Sequence, residues 1–196
     1  MGAGLLHDVP LDELASGFEE VVLVDIVHPW LRPRATRRPN ILRVTADVTN
    51  TVAELYRVSD EPDLPLPLSK PTLMLDDDRV DLVVSLNLLS QLPCMPLAYL
   101  TGIGAHSLAK RDEYARDVIA AHLDYLARFR CQTLLITDIE RLKIDMMNRV
   151  VERKDLLFGL TLPRIDDEWQ WRLAPCPEVD SRHHYDRRVI AVRNPH

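Results

Sequence analysis

What the chain has little of narrows it first. Its three cysteines, Cys94, Cys131 and Cys176, are widely spaced over 196 residues with no C-x-x-C pair among them. That excludes a disulfide framework and a zinc knuckle, and it reads as a protein of the reducing cytoplasm. No signal peptide is found, and no apolar run approaches the roughly eighteen residues that a membrane span needs, so no membrane partner is expected. A basic excess is missing too: 24 Lys and Arg stand against 30 Asp and Glu, for a net charge of -6. Such a surface has no footprint for gripping a phosphate backbone, and nucleic acid is not expected as a partner. The one basic cluster, Arg32, Arg34, Arg37 and Arg38, lies in a proline-containing loop and reads as a solvated face.

What is present is an adequate core, with 46% hydrophobic residues in a chain of a length that usually makes one domain, here 1–196. The run Val21-Val-Leu-Val-Asp25 has no polar alternation. It reads as a strand covered on both faces, as in a parallel sheet, ending in a carboxylate at its carboxyl end. Ligands of open α/β sheets bind outside those ends, and an acid placed there, about twenty residues after a Gly-rich turn, can accept hydrogen bonds from both hydroxyls of a ribose. Gly2 and Gly4 supply the turn. Asp8 followed by Val9-Pro10 reads as a helix start, and Gly17 as its end.

Further along, Ile41 to Asp47 is a second strand with an acid at the same rim, and Thr49 to Val58 has helical spacing. Pro62, Pro65, Pro67 and Pro71 make an irregular loop of the following segment. Asp76-Asp77-Asp78 reads as a solvated turn, because consecutive carboxylates diverge and do not enclose a cation by themselves. Val80 to Leu86 is a buried strand that exits through Asn87, and Cys94 to Ser107 reads as a covering connection. Tyr114, Val118, Ala121, Tyr125 and Phe129 form one helical stripe within Ala109 to Arg130, with His122 packed beside it. Cys131 to Asp138 is a strand, and Glu140 to Val151 reads as a helix. Trp169 to Leu173 and Arg188 to Arg193 read as paired strands, joined by a polar loop that carries an exposed His183-His184 pair.

The order of a Gly-x-Gly turn, Val-Val-Leu-Val-Asp25, Thr-Ala-Asp47-Val, Asp81-Leu-Val-Val-Ser-Leu-Asn87, Leu-Leu-Ile-Thr-Asp138 and a C-terminal strand pair resembles the class I S-adenosylmethionine-dependent methyltransferases. The likeness spans nearly the whole chain and lies in the order, since each motif alone occurs in many folds. It implies a Rossmann-like α/β fold: a mostly parallel sheet with helices on both faces and a C-terminal antiparallel strand pair, the last strand inserted antiparallel. It also implies S-adenosylmethionine as cofactor and a small-molecule substrate as methyl acceptor. Gly2 and Gly4 would form the cofactor turn, Asp25 would hold the ribose hydroxyls, Asp47 and Val48 would meet the adenine edge, and Ser85 and Asn87 would line the methionine end.

Two features depart from that pattern. Leu6 stands where the family's turn commonly has a third glycine, and no apolar strand runs into Gly2, so the reading frame is expected to continue upstream through about five to seven Val-, Leu- and Ile-rich residues. These departures motivate an alternative, a catalytically inactive methyltransferase-like domain that binds a nucleotide or a partner. If an acceptor needs deprotonation, His7, His28 and His106 are the candidate bases. No catalytic residue and no metal ligand is assigned, and the oligomeric state is not legible.

Overall fold

The computed structural model describes residues 1–28, 38–174 and 182–195, which fall into two compact units, Met1–Val48 and Thr49–His196. Arg32, Arg34, Arg37 and Cys176 lie outside the described residues.

The first unit is built on two parallel strands, β1 (Val21–Asp25) and β2 (Ile41–Thr45), in register Val21 to Ile41 through Asp25 to Thr45. Helix α1 (Leu11–Gly17) precedes them. It begins one residue after Pro10, and the N-cap position is Pro10 itself with no side-chain cap, so Asp8 does not cap it. Leu11 and Ala15, one helical turn apart, pack with Ala3, Leu23 and Ile41 as the core of this unit.

In the second unit, α2 (Val52–Val58) leads through the proline-rich loop to β3 (Leu82–Leu86), a single 3-10 turn at Leu89–Gln91, α3 (Cys94–Ile103) and α4 (Leu108–Ala127). Four strands follow: β4 (Gln132–Asp145), β5 (Val150–Asp155), β6 (Asp167–Ala174) and β7 (His183–Arg193). The sheet order is β3-β4-β7-β6, with β5 also on β4. Ser107 caps α4 by accepting the Lys110 N–H at 3.2 Å, and the expected stripe is buried at Tyr114, Val118 and Tyr125. Tyr114 and Val118 join Leu55 and Leu100 in a core that ties α4 to α2 and α3.

This sheet is mixed, which corrects the expectation of a mostly parallel one. Only β3 and β4 run parallel; β4–β5, β4–β7 and β6–β7 are antiparallel. The cause is the length of β4. It outruns β3, which pairs with Gln132 to Ile136 alone, and its far half is paired by β5 and β7 instead. A short turn can only return a strand antiparallel. The same extension replaces the expected helix over Glu140 to Val151 with a hairpin. Leu142 and Ile144 are buried with period two, and Asp145 accepts the Met147 and Arg149 N–H groups at 2.8 and 2.9 Å to close the turn. A bulge between Asp138 and Glu140 switches the buried parity from Thr133, Leu135 and Thr137 to Leu142 and Ile144.

Two smaller expectations also change. Cys94 to Ile103 is helical, because Pro96 sits in the first turn, where its missing N–H costs nothing, and Gly104 closes the helix at φ 75. His183 and His184 belong to β7 and not to a loop; His184 is buried, its Nε2 3.8 Å from Asp186 Oδ1. Among the described residues no helix is long and apolar enough to cross a membrane.

Candidate functional site

The N-terminal turn lies at the carboxyl end of β1. Gly2 N–H donates to the Val24 carbonyl at 3.0 Å, and Gly4 N–H donates to Asp25 Oδ2 at 2.7 Å. The other oxygen, Oδ1, accepts the Val27 N–H at 3.1 Å. Gly2 and Gly4 have φ of 78 and 45, where a side chain is strained, so the backbone favours glycine there. A Cβ on Gly4 would meet nothing nearer than the Gly2 carbonyl oxygen at 4.0 Å, an ordinary van der Waals contact. Leu6, at the place of the third glycine, also has a left-handed φ of 66. It keeps that conformation by packing against the core of the first unit.

Asp25 thus joins the turn to the strand end. Each of its oxygens takes one backbone N–H, and a carboxylate has about four acceptor positions, so capacity remains for hydroxyl donors. Its charge also acts on the Met1 amino group: burial lowers that group to about 6, and Asp25 works in the opposite direction. The Ala46 N–H donates to the Asp25 carbonyl at 3.0 Å, which brings β2 out of the sheet at the same rim. Asp47, half-buried, and Val48, buried, follow at once. His28 Nε2 donates to the Val44 carbonyl at 3.0 Å, which leaves Nδ1 as the ring's acceptor. His7 is exposed.

In the second unit, Ser85 and Asn87 occupy the last turn of chain at the end of β3. Asn87 stands one residue beyond the strand at φ 50, its N–H bonded to the Ile136 carbonyl at 2.8 Å. Asparagine tolerates that left-handed position better than most residues. Ser85 has no exposed surface. Its Oγ lies 2.9 Å from His122 Nε2 on α4, so it faces the strand–helix interface. Burial holds His122 down at about 3, which keeps the imidazole neutral. His106 is buried as well and donates from Nε2 to the Ser59 carbonyl at 2.9 Å, a tie between α2 and the α3–α4 connection.

Sequence reasoning missed two further groupings. Ser90, in the 3-10 turn after β3, donates to Asp138 Oδ1, and Arg187 on β7 holds Asp138 Oδ2 at 2.9 Å. Cys94 Sγ lies 3.5 Å from the Ser90 carbonyl, and burial raises its thiol. Separately, a concavity of about 390 Å³ is lined by Ile139, Leu157, Leu162, Ile165 and Ile190, with Glu140 and Arg188 at its polar side. Those charges are already committed: Arg153 binds Glu140 at 3.1 Å, and Glu168 binds Arg188 at 2.6 and 2.8 Å. Neither Ser85 nor Asn87 lines it. Asp77 pairs with Arg79 at 2.7 Å and Asp78 with Arg130 at 3.5 Å, and no group of metal-ligating side chains occurs among the described residues.

No family model, no curated protein and no solved structure matches the chain.

Proposed function

We propose that the chain binds S-adenosylmethionine at the carboxyl ends of β1 and β2 and transfers its methyl group to a small acceptor. The observation that carries this reading is the 2.7 Å hydrogen bond from Gly4 N–H to Asp25, which sets a glycine turn against an acidic strand end. Support for the reading comes from the parallel pairing of β1 with β2, although these strands form a two-stranded sheet apart from the five-stranded one, and from β7 lying antiparallel between β4 and β6. The net charge of -6 favours a small acceptor over a nucleic acid.

When bound, the cofactor supplies an activated methyl group on a sulfonium centre. The chain's part is to bind, orient and exclude water, because an in-line displacement gains most from proximity. Asp25 accepts ribose hydroxyls with the capacity its two backbone donors leave. His28, its Nε2 held at the Val44 carbonyl, is the candidate base when an acceptor must lose a proton.

A second reading is a methyltransferase-like domain that binds the nucleoside without transfer. It is favoured by Leu6 at the third-glycine position and by Ser85 being committed to His122. Incubation with S-adenosylmethionine and a panel of amine, thiol and hydroxyl acceptors, monitored for S-adenosylhomocysteine, separates the two. Acceptor-dependent release supports transfer; calorimetric binding without release supports the second reading; the absence of binding removes both.

A further inference from the structure

Strand β6 ends the sheet. It pairs only with β7, from Asp167–Ala191 through Trp171–Arg187 to Arg172–Asp186, and among the described residues no strand pairs with its outer edge. Residues 166–170 are exposed, Trp169 at 38%, and Arg172 is exposed as well. An open edge displays a row of unpaired N–H and C=O groups, and natural sheets usually blunt such an edge with proline, lysine or a covering element. Asp167 to Arg172 holds neither proline nor lysine; its charges are Asp167, Glu168 and Arg172, a bulge follows Arg172, and two tryptophans lie among the charges.

The five residues Glu168-Trp169-Gln170-Trp171-Arg172 are self-complementary about Gln170. If two copies of β6 meet antiparallel about a two-fold axis at Gln170, Glu168 of one faces the partner's Arg172, and Trp169 faces the partner's Trp171. Gln170 then faces its own copy, and the one charge pair forms twice. Directly opposed residues of an antiparallel pair share a face and interact most strongly, opposite charges and aromatics favourably and like charges unfavourably. Continuity of the two faces through the axis requires opposed residues of equal parity. The neighbouring registers of that kind centre on Trp169 or Trp171 and put Glu168 or Arg172 opposite Gln170; neither joins Glu168 to Arg172, although the first sets Arg172 opposite Asp166, just before β6. The centred register alone satisfies all five positions.

Both charges also have partners on β7. Arg188 holds Glu168 through two bonds of 2.6 and 2.8 Å, and Asp186 holds Arg172 Nε at 3.2 Å. Each group keeps capacity for another partner, since a carboxylate accepts about four hydrogen bonds and a guanidinium donates five. We infer that the outer edge of β6 is a docking surface for a second copy of this chain, paired through Glu168 to Arg172 into one sheet continuous across a two-fold dimer. Such a contact is isologous, and its main-chain ladder supplies attraction while the alternating side chains fix the register.

Sedimentation of the full chain over a dilution series tests it, with tryptophan emission read in parallel. The expected result is a reversible equilibrium in which the apparent mass doubles with concentration as the emission shifts to the blue. Glu168→Arg alone, or Arg172→Glu alone, sets like charges opposite each other twice and weakens association by about tenfold or more, roughly the 1.4 kcal/mol that a decade represents. Mixing the two single variants restores association, because each then offers the charges the other needs, and the double exchange in one chain restores it as well. Thermal melting of each variant establishes that it is folded. A monomer at every concentration, single variants that dimerise as well as the parent, or a mixture of folded variants that fails to associate each overturns the inference.

Discussion

Ser85 on β3 and His122 on α4 share a hydrogen bond of 2.9 Å with neither residue appreciably exposed. It pins the longest helix of the second unit to the strand whose end carries Asn87. Among the described residues His122 Nδ1 has no hydrogen-bond partner, so the Ser85 hydroxyl is the one partner this ring has there. Ser85→Ala is expected to cost about 1–3 kcal/mol, the range for stranding a buried polar group, as read by urea unfolding. A loss no larger than that of an exposed serine would show that the bond carries nothing.

The same pair governs acid stability. His122 is held at about 3 against an ordinary 6.5, chiefly by burial. Above 6.5 both folded and unfolded chains hold it neutral. As the pH falls from there towards 3, the unfolded chain takes up a proton that the folded one refuses, and stability declines by about 1.4 kcal/mol per unit. His122→Gln keeps a polar partner for Ser85 but cannot titrate, so its stability should fall less steeply over this window. Equal slopes for variant and parent would contradict the assignment.

Tyr125, one turn further along α4, donates to the Leu73 carbonyl at 2.6 Å, and burial pushes its phenol up to about 12 from 10.0. The folded chain therefore keeps the proton where the unfolded chain loses it, and stability is lost as the pH rises from 10 towards 12. Tyr125→Phe should remove that alkaline decline and cost about 0.5–1.5 kcal/mol near neutrality for the lost bond. Unfolding midpoints across the alkaline range decide it.

Much of this frame was legible because it rests on local pattern. The branched run of Val21 to Val24 and the stripe from Tyr114 to Tyr125 each declare one period, and the structure follows them; Trp169 lies in a strand as expected, but burial does not alternate along it. Glu140 to Val151 reads as a helix in sequence because its charges fit a solvated helix as well as a strand. What decides the matter is Asp145 closing the turn and β7 pairing alongside, which the local segment does not contain. The sequence puts a glycine turn and an acidic strand end in one motif, but neither the Gly4–Asp25 bond, 21 residues apart, nor the Ser85–His122 bond, 37 residues apart, has a local signal. Serine at the end of a strand reads as a rim residue until the opposing helix is in place.

Leu6 holds a left-handed backbone that costs a branched side chain roughly 1–2 kcal/mol. Leu6→Ile keeps the volume but adds branching at Cβ, and should destabilise by about 1–2 kcal/mol in denaturant unfolding. Leu6→Gly trades strain for lost packing against Ala3, Leu11 and Leu23, so its net change should be smaller than for full burial of a leucine, about 1.5–3 kcal/mol. Under the proposed function it also opens the turn, and S-adenosylhomocysteine should bind the glycine variant at least as tightly as the parent.

The most direct measurement is calorimetric titration of S-adenosylhomocysteine into the parent chain, Asp25→Ala and Gly4→Ala. The proposal expects binding to the parent, weakened by about 1.5–3 kcal/mol in Asp25→Ala, as for loss of hydrogen bonds to a charged group. It expects weakening in Gly4→Ala through the strained φ of 45, since no neighbouring atom would obstruct the added methyl. No binding to the folded parent, or equal affinity in Asp25→Ala, would contradict a nucleoside site at this rim.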